Sequence, residues 1–163
     1  METTFTRNWA GPGPQGGTVR ISREEQSARE RALQQAPLFA GFPKRHLRAI
    51  AREATVTVYD RGETIVEEGS KGGAFFVILD GSAKAVSGSR TLGRLKPGTF
   101  FGEVALLDEG PRMASVVTES MTRCLILDGQ DFQRIVAKEP ALALRLLREL
   151  ARRLRMAERP KIC

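Results

Sequence analysis

A chain of 163 residues, 41 % hydrophobic and 28 % charged, is long enough to bury one core and has the composition of a globular domain. It lacks the ~18 consecutive apolar residues of a membrane-spanning helix and the apolar core of an export signal. Cys124 in an apolar run and Cys163 at the end do not suggest a disulfide, so we expect a cytoplasmic protein. The net charge of +7 favours acidic partners such as phosphorylated ligands, nucleic acid or an anionic membrane.

The N-terminal part predicts a tail and two helices. Residues 1–20 are rich in Gly, Pro, Thr and Gln without hydrophobic periodicity, which is typical of a flexible tail. Ser22 followed by Glu25 resembles a capping box and predicts a polar helix over 23–35. After a short apolar connector, Pro43 begins a second helix with apolar positions at helical spacing.

From residue 55 the hydrophobic period changes to two, the period of a half-buried β-strand. Turn signals such as Asp80–Gly81 and Glu109–Pro111 separate the segments. The segments are TVTVYD, ETIVEE, AFFVILD, SAKAV, TLGRL, MASVV and TRCLILD. Seven or eight short strands at this spacing predict an antiparallel, eight-stranded β-roll of the jelly-roll kind over about 55–128.

The helical period returns over about 130–158. DFQRIVAKE predicts a short helix, and Pro140 begins a longer one with leucines at helical spacing and arginines expected on the opposite face. The leucines are Leu142, Leu146, Leu150 and Leu154, with Leu147 beside them. Helices at both ends of one β-roll predict a single α+β domain over 21–163.

The residues best suited to binding chemistry lie in KPGTFFGEVALLDEGPRMASVV, residues 96–117, where we expect Arg112 to begin a strand. Gly102 permits an unusual backbone conformation and close approach of a ligand. The short turn after it would present the amides of Val104 and Ala105 to an anion. The planar guanidinium of Arg112 suits a phosphate, and Glu103 is an acceptor for hydroxyl groups. Together these groups match a ligand that carries both a phosphate and a ribose.

The segment FGEVALLDEGPRMASV resembles the phosphate-binding cassette of the cyclic-nucleotide-binding domain family, whose pattern is F-G-E-x-A-L, about five or six residues, then R-x-A-(S/T). The similarity extends over about 38–158. Glycines also stand at the family's scaffold positions, namely Gly62, Gly69, Gly81 and Gly98. The resemblance implies that Glu103 accepts from the ribose 2′-OH and that Arg112 pairs with the cyclic phosphate. It further implies assistance from the amides of Gly102, Ala105 and Met113.

The resemblance also implies that the helix from Pro140 is a lid that closes over the purine when ligand binds. Arg153 matches a position where some relatives place an arginine against the base. Met113 stands where cGMP-selective relatives often carry a threonine hydroxyl; because a thioether cannot donate that hydrogen bond, we expect cAMP, with cGMP as the alternative. The predicted ligand-binding residues are Gly102, Glu103, Val104, Ala105, Arg112, Met113, Ala114 and Arg153.

We predict a non-catalytic regulatory module, because the sequence has no activated nucleophile and its single histidine, His46, suggests no metal site. No cofactor or metal is expected. Two alternatives stay open: a cyclic-nucleotide-binding fragment of a larger channel or transcription regulator, and a ligand-free interaction module of the same fold. Catabolite-activator-type regulators add a helix-turn-helix beyond the long helix, where this sequence stops, so we expect no direct DNA binding. The Met1 start favours a stand-alone protein. The leucine-rich helix could pair two chains. The sequence does not indicate an effector.

Overall fold

Two helices precede the β-strands in the computed structural model, which describes residues 22–157; the predicted tail over 1–20 lies outside the described residues. Helix α1 spans Arg23–Gln35 and helix α2 spans Lys44–Glu53, with a short 3-10 turn over Pro37–Phe39 between them. The Ser22 hydroxyl accepts a hydrogen bond from the Glu25 amide at 3.1 Å, so the predicted start of the first helix is confirmed.

Eight strands follow, and they form two antiparallel sheets of four strands each, with orders β1-β8-β3-β6 and β2-β7-β4-β5. The strands are β1 Thr55–Tyr59, β2 Thr64–Val66, β3 Ala74–Asp80, β4 Ala83–Ser87, β5 Arg90–Leu95, β6 Phe100–Phe101, β7 Ser115–Thr118 and β8 Thr122–Asp128. The predicted α+β fold with an antiparallel, eight-stranded β-roll is confirmed.

Two details of the β-roll differ from the sequence prediction, and both concern the segment around residues 96–117. Strand β6 was not predicted; it has only two residues, too few to show a period, and it pairs with Phe76 and Val77 of β3. Arg112 was expected to begin a strand, but β7 begins at Ser115. Arg112 instead lies in the preceding loop, beside an isolated bridge between Lys71 and Pro111.

Strands β3 and β8 are buried on both faces, and they divide the core into two parts. Phe75 and Val77 of β3 pack with the helices, whereas Phe76 and Ile78 pack between the two sheets. Cys124 of β8 belongs to the inner part, where burial raises the pKa of its thiol to about 12. The prediction that Cys124 is a small buried apolar residue is therefore confirmed.

Two further helices, α4 over Gly129–Lys138 and α5 over Pro140–Ala157, follow the roll; the short α3 over Glu103–Leu107 lies before β7. The predicted leucine stripe of α5 is divided. Leu142 and Leu146 are buried in the core, but Leu147 is 63 % exposed and Leu154 is 58 % exposed. Leu146 is therefore the last leucine of α5 that is buried in the core.

The arginines of α5 are not confined to the solvent face, so that prediction was wrong. The Arg145 guanidinium donates to the Leu38 carbonyl at 3.0 Å and packs over the Phe42 ring. Among residues 22–157, no helix is long and apolar enough to cross a membrane. The cytoplasmic location stays a prediction.

Candidate functional site

The turn from β6 into α3 depends on Gly102. Its φ is +94°, in the left-handed region that residues with a side chain rarely adopt. A Cβ atom at this position would also lie 2.6 Å from Arg112 Nη1 and 2.7 Å from the Ala74 carbonyl oxygen. Gly102 is thus required both by the backbone conformation and by the approach of Arg112. The amides of Val104 and Ala105 lie in the first turn of α3, where N–H groups have no intrahelical acceptor.

The Arg112 side chain is buried, with 6 % of its surface exposed, rather than directed into solvent. Its backbone is fixed by two 2.8 Å hydrogen bonds, from its amide to the Ser70 carbonyl and from the Gly69 amide to its own carbonyl. The guanidinium donates to the Gly102 carbonyl at 3.2 Å and to the Ala74 carbonyl at 3.0 Å. These bonds orient the group and use only two of its five N–H donors.

Both hydrogen-bond partners of the guanidinium are neutral carbonyls. Within residues 22–157, no carboxylate oxygen lies within salt-bridge distance of Arg112. Desolvation lowers the pKa of Arg112, an effect that the more distant charge of Glu103 opposes, but an arginine remains protonated. A buried cation without a paired anion is costly, and this arrangement favours an anionic ligand.

Glu103 is the second buried charge of the site, with 1 % of its surface exposed. Its Oε1 accepts a hydrogen bond from Arg153 Nη1 at 2.8 Å, whereas its Oε2 is buried and has no partner in the described part of the chain. Burial raises the pKa of the carboxyl group, and the charges of Arg153 and Arg112 oppose this rise. A buried acceptor without a donor costs about 1–3 kcal/mol of stability. A ligand hydroxyl that donates to Oε2 would remove this cost.

Arg153 reaches this site from helix α5. Besides the bond to Glu103, its Nη2 donates to the Phe100 carbonyl at 3.1 Å and its Nε to Glu149 at 3.1 Å. The guanidinium lies over the Phe100 ring, 4.7 Å from its centre. The structure therefore brings Arg153 to the predicted site but against Glu103, and the predicted contact with a base stays a prediction.

The remaining predicted residues surround these two charges. Ala105 is buried and Val104 and Ala114 are half-buried, whereas Met113, directly after Arg112, is 71 % exposed. An exposed thioether beside the buried guanidinium is available for contact with an apolar ring.

Sequence reasoning missed Gly72 and the start of β3. A Cβ on Gly72 would lie 2.6 Å from the Ala105 Cβ and 3.5 Å from Arg112 Cζ, so this glycine gives the cassette its space. Ala74 supplies a carbonyl to Arg112, and the Phe76 ring lies under the guanidinium at 5.7 Å. The Gly-Gly pair in SKGGAFF was the available signal, since paired glycines before a buried strand often mark close backbone approach.

Other features lie away from this site. The described residues contain no group of His, Cys, Asp and Glu that could hold a metal ion, and His46 contacts Glu139 at 3.1 Å. A surface groove of ≈ 150 Å³ runs between α2 and α4. None of the predicted ligand-binding residues lines this groove.

The β-roll with a glycine-started turn and a buried arginine has the architecture of cyclic-nucleotide-binding domains. The structure of PKAR CBD2 bound to Sp-2Cl-cAMPS matches 86 % of this chain and 96 % of its own, with a TM-score of 0.71 at 24 % identity, which establishes the fold alone. The family model "Cyclic nucleotide-binding domain" matches residues 56–139. The chain belongs to this family.

Two curated relatives and one further solved structure match the chain at 31 % identity or more. The cyclic AMP receptor protein of Thermus thermophilus is 34 % identical over 128 residues, 76 % of this chain and 59 % of that protein. The crystal structure of the Thermus thermophilus catabolite activator protein has a TM-score of 0.68 and 34 % identity, over 75 % of this chain and 60 % of the other. A CRP-like cAMP-activated global transcriptional regulator of Mycobacterium tuberculosis is 31 % identical over 76 % of this chain and 57 % of its own length. The chain thus spans less than two thirds of these relatives.

Proposed function

We propose that this domain binds cAMP, with cGMP as the alternative ligand, and acts as a regulatory module without catalysis. The observation that carries the proposal is the buried Arg112 guanidinium, which has only neutral carbonyl partners. The unpartnered Oε2 of Glu103 supports it, since one ligand with a phosphate and a ribose would satisfy both groups. The cAMP named in the descriptions of several relatives is consistent with this ligand.

Each group has a defined role in this proposal. The free N–H donors of Arg112 and the amides of Val104 and Ala105 bind the cyclic phosphate. Glu103 accepts from the ribose 2′-OH, and the exposed Met113 packs against the purine. Gly102 and Ala114 permit the close approach of the ligand. These are binding interactions; the proposal includes no bond-breaking step and no cofactor or metal.

Helix α5 provides the response to the ligand in this proposal. Leu146 is the last leucine of the helix that is buried in the core, and the second half meets the site through Arg153, which bonds Glu103 and the Phe100 carbonyl. A segment with few packed contacts can change position at small cost. Ligand binding would shift an existing equilibrium of this segment towards a position over the purine, by at most the difference in ligand affinity between the two positions.

The exposed leucines of α5 support a second proposal, that two copies of the chain pair through this helix. Leu144, Leu147 and Leu154 are 47 %, 63 % and 58 % exposed, and with Ala151 they have the 3-4-3 spacing of a coiled-coil seam. Whether the chain works alone or within a larger channel or transcription regulator stays open, and the absence of direct DNA binding stays a prediction.

Isothermal calorimetry with cAMP and cGMP on the full chain tests the ligand. We expect cAMP to bind in the micromolar range or more tightly, and more tightly than cGMP. Arg112→Ala should weaken binding at least about tenfold, since a charge-assisted hydrogen bond contributes roughly 1.5–3 kcal/mol. Arg112→Lys should not restore it, because an ammonium lacks the planar pair of donors.

Arg123→Ala is the matched control, because Arg123 forms a surface ion pair with Asp80 and lies outside the site. It should bind cAMP as the wild type does. No heat from either nucleotide at millimolar concentration, in a protein folded by circular dichroism, would contradict the proposal. Wild-type affinity in both Arg112 variants would contradict the role of Arg112 alone.

A further inference from the structure

All three methionines of the described residues are exposed. Met113, Met121 and Met156 have 71 %, 66 % and 54 % of their surfaces accessible to solvent. Met113 is the most exposed of the three, and of the three it alone directly follows the buried Arg112. A thioether beside the site is therefore open to reagents in solution.

The backbone on both sides of Met113 is held by the loop that follows β2. The Arg112 amide donates to the Ser70 carbonyl at 2.8 Å. Two residues after Met113, the Ser115 hydroxyl accepts a hydrogen bond from the Glu68 amide at 2.9 Å. These bonds fix the backbone next to the site, while the side chain of Met113 stays uncovered.

We propose that Met113 is an oxidation site that controls nucleotide affinity. A peroxide would convert its thioether to a sulfoxide, and the sulfoxide would weaken the contact with the purine. The inference rests on the proposed function, in which Met113 packs against the base. It adds a modification to that function, with hydrogen peroxide as the simplest oxidant of the class.

The chemistry needs only the thioether and the peroxide. The sulfur attacks one oxygen of hydrogen peroxide, and the S–O bond forms as the O–O bond breaks. The other oxygen leaves as hydroxide and takes the proton of the transferred oxygen, which gives water. Sulfur is oxidised and the peroxide is reduced, with one electron pair transferred. The product is polar, so it is better solvated by water and packs less well against a ring than the thioether does.

The buried thiol of Cys124 does not compete for the oxidant. Cys124 is 0 % exposed, and burial raises the pKa of its thiol to about 12, so the reactive thiolate is scarce at neutral pH. A peroxide in solution therefore meets the thioether of Met113 but not this thiol.

Met121 offers a matched control. It lies in the turn between β7 and β8, where its carbonyl is close to Gly81, and it is 66 % exposed. Because its exposure is similar to that of Met113, it should be oxidised to a similar extent in the protein without nucleotide. Its sulfoxide should leave cAMP affinity unchanged, since Met121 is outside the predicted ligand-binding residues.

The first test treats the full chain with hydrogen peroxide, with and without saturating cAMP, and measures each sulfoxide by peptide-mapping mass spectrometry. Bound cAMP should slow the oxidation of Met113 and leave that of Met121 unchanged. Calorimetry after removal of the peroxide should show cAMP affinity reduced at least about threefold, within the range of a sulfur–aromatic contact. Treatment with methionine sulfoxide reductases should restore the affinity.

Three variants assign the effect to one residue. Met121→Leu should lose cAMP affinity on oxidation as the wild type does. Met113→Leu should bind cAMP equally before and after peroxide treatment, because leucine has no sulfur to oxidise. Met113→Gln places a polar group at this position and should bind cAMP more weakly than Met113→Leu without any oxidant.

An affinity loss that persists in Met113→Leu would overturn the inference, because another residue would then be the target. Unchanged cAMP affinity in a wild type whose Met113 is oxidised would overturn it too, as would oxidation of Met113 that cAMP does not slow. In each case cAMP binding by the untreated wild type would leave the proposed function standing. Absence of cAMP binding in the untreated wild type is the separate outcome that contradicts the proposed function.

Discussion

At the scale of single residues, the site keeps two buried charges that do not pair with each other. Arg112 donates to backbone carbonyls, and Glu103 leaves one oxygen without a donor. Such an arrangement destabilises the free protein, and it is retained where the charges serve binding. The proposed ligand would offset this cost by satisfying both groups.

Glu103→Gln should reveal the stability cost of the buried carboxylate in the protein without nucleotide. The pKa of Glu103 is raised in the folded state, so its contribution to stability is fully present below the ordinary pKa of 4.5 and is lost as the pH rises through the raised value. Relative to Glu103→Gln, the wild type should lose unfolding free energy as the pH rises through this range. Urea unfolding of both proteins across pH measures the difference.

Subtracting the unfolding free energy of the variant from that of the wild type at each pH removes the contribution of the other titrating groups, which both proteins share. A difference that does not change with pH would mean that the charges of Arg153 and Arg112 fully offset the desolvation of Glu103. A wild type that gains stability relative to the variant with rising pH would contradict the raised pKa.

The residues proposed to bind the ligand could be grouped from the sequence because they lie close together in it. The spacing from Gly102 to Arg112 is fixed by one cassette, and the structure places these residues at one site. The target of Arg153 could not be predicted, since the bond joins residues 50 positions apart and depends on where α5 packs. Hydrophobic periodicity predicts which face of a helix is buried, but it does not predict which element that face packs against.

At the scale of elements, strands differ in how clearly the sequence predicts them. The boundaries of β3 and β8 agree with the apolar runs AFFVILD and TRCLILD, because both strands are buried on both faces and read as continuous apolar segments. Strand β6 has two residues and only its pairing with β3 defines it.

Gly102→Ala tests the turn that begins α3. The alanine would have to adopt a positive φ, and its Cβ would also lie too close to Arg112 Nη1 and to the Ala74 carbonyl oxygen. We expect thermal stability to fall and cAMP affinity to decrease, because the guanidinium must move. Gly62→Ala is the control: its φ is +83° but nothing lies within 4 Å of the added Cβ.

Strain alone costs about 1–2 kcal/mol, so Gly62→Ala should lower the melting temperature by roughly 2–8 °C and leave cAMP affinity unchanged. Gly102→Ala should lower the melting temperature further, and cAMP binding should weaken only in this variant. Calorimetric melting and nucleotide titration measure the two effects. Equal effects of the two substitutions would show that the close approach to Arg112 does not matter.

At the scale of the whole molecule, the uncovered face of α5 has an arrangement that favours one kind of pairing. Leu144 and Ala151 occupy the a positions of the heptad repeat, and Leu147 and Leu154 occupy the d positions. In a parallel pair, Arg148 would face Ala143 of the other chain, so no like charges meet. In an antiparallel pair, Arg148 and Arg155 would face arginines. For the proposed homodimer, the charge pattern therefore favours the parallel arrangement.

The double variant Leu147→Glu with Leu154→Glu should abolish this dimer, because charges at seam positions would be buried without partners. Light scattering after size-exclusion chromatography should show a dimer for the wild type and a monomer for the variant. Leu92→Glu is the matched control, since Leu92 is 52 % exposed on β5, away from α5. It should remain dimeric. A wild type that is monomeric at high concentration, or a double variant that remains dimeric, would contradict pairing through this helix. Retained binding of cAMP by the monomeric variant would further show that the seam assembles the protein without forming the ligand site.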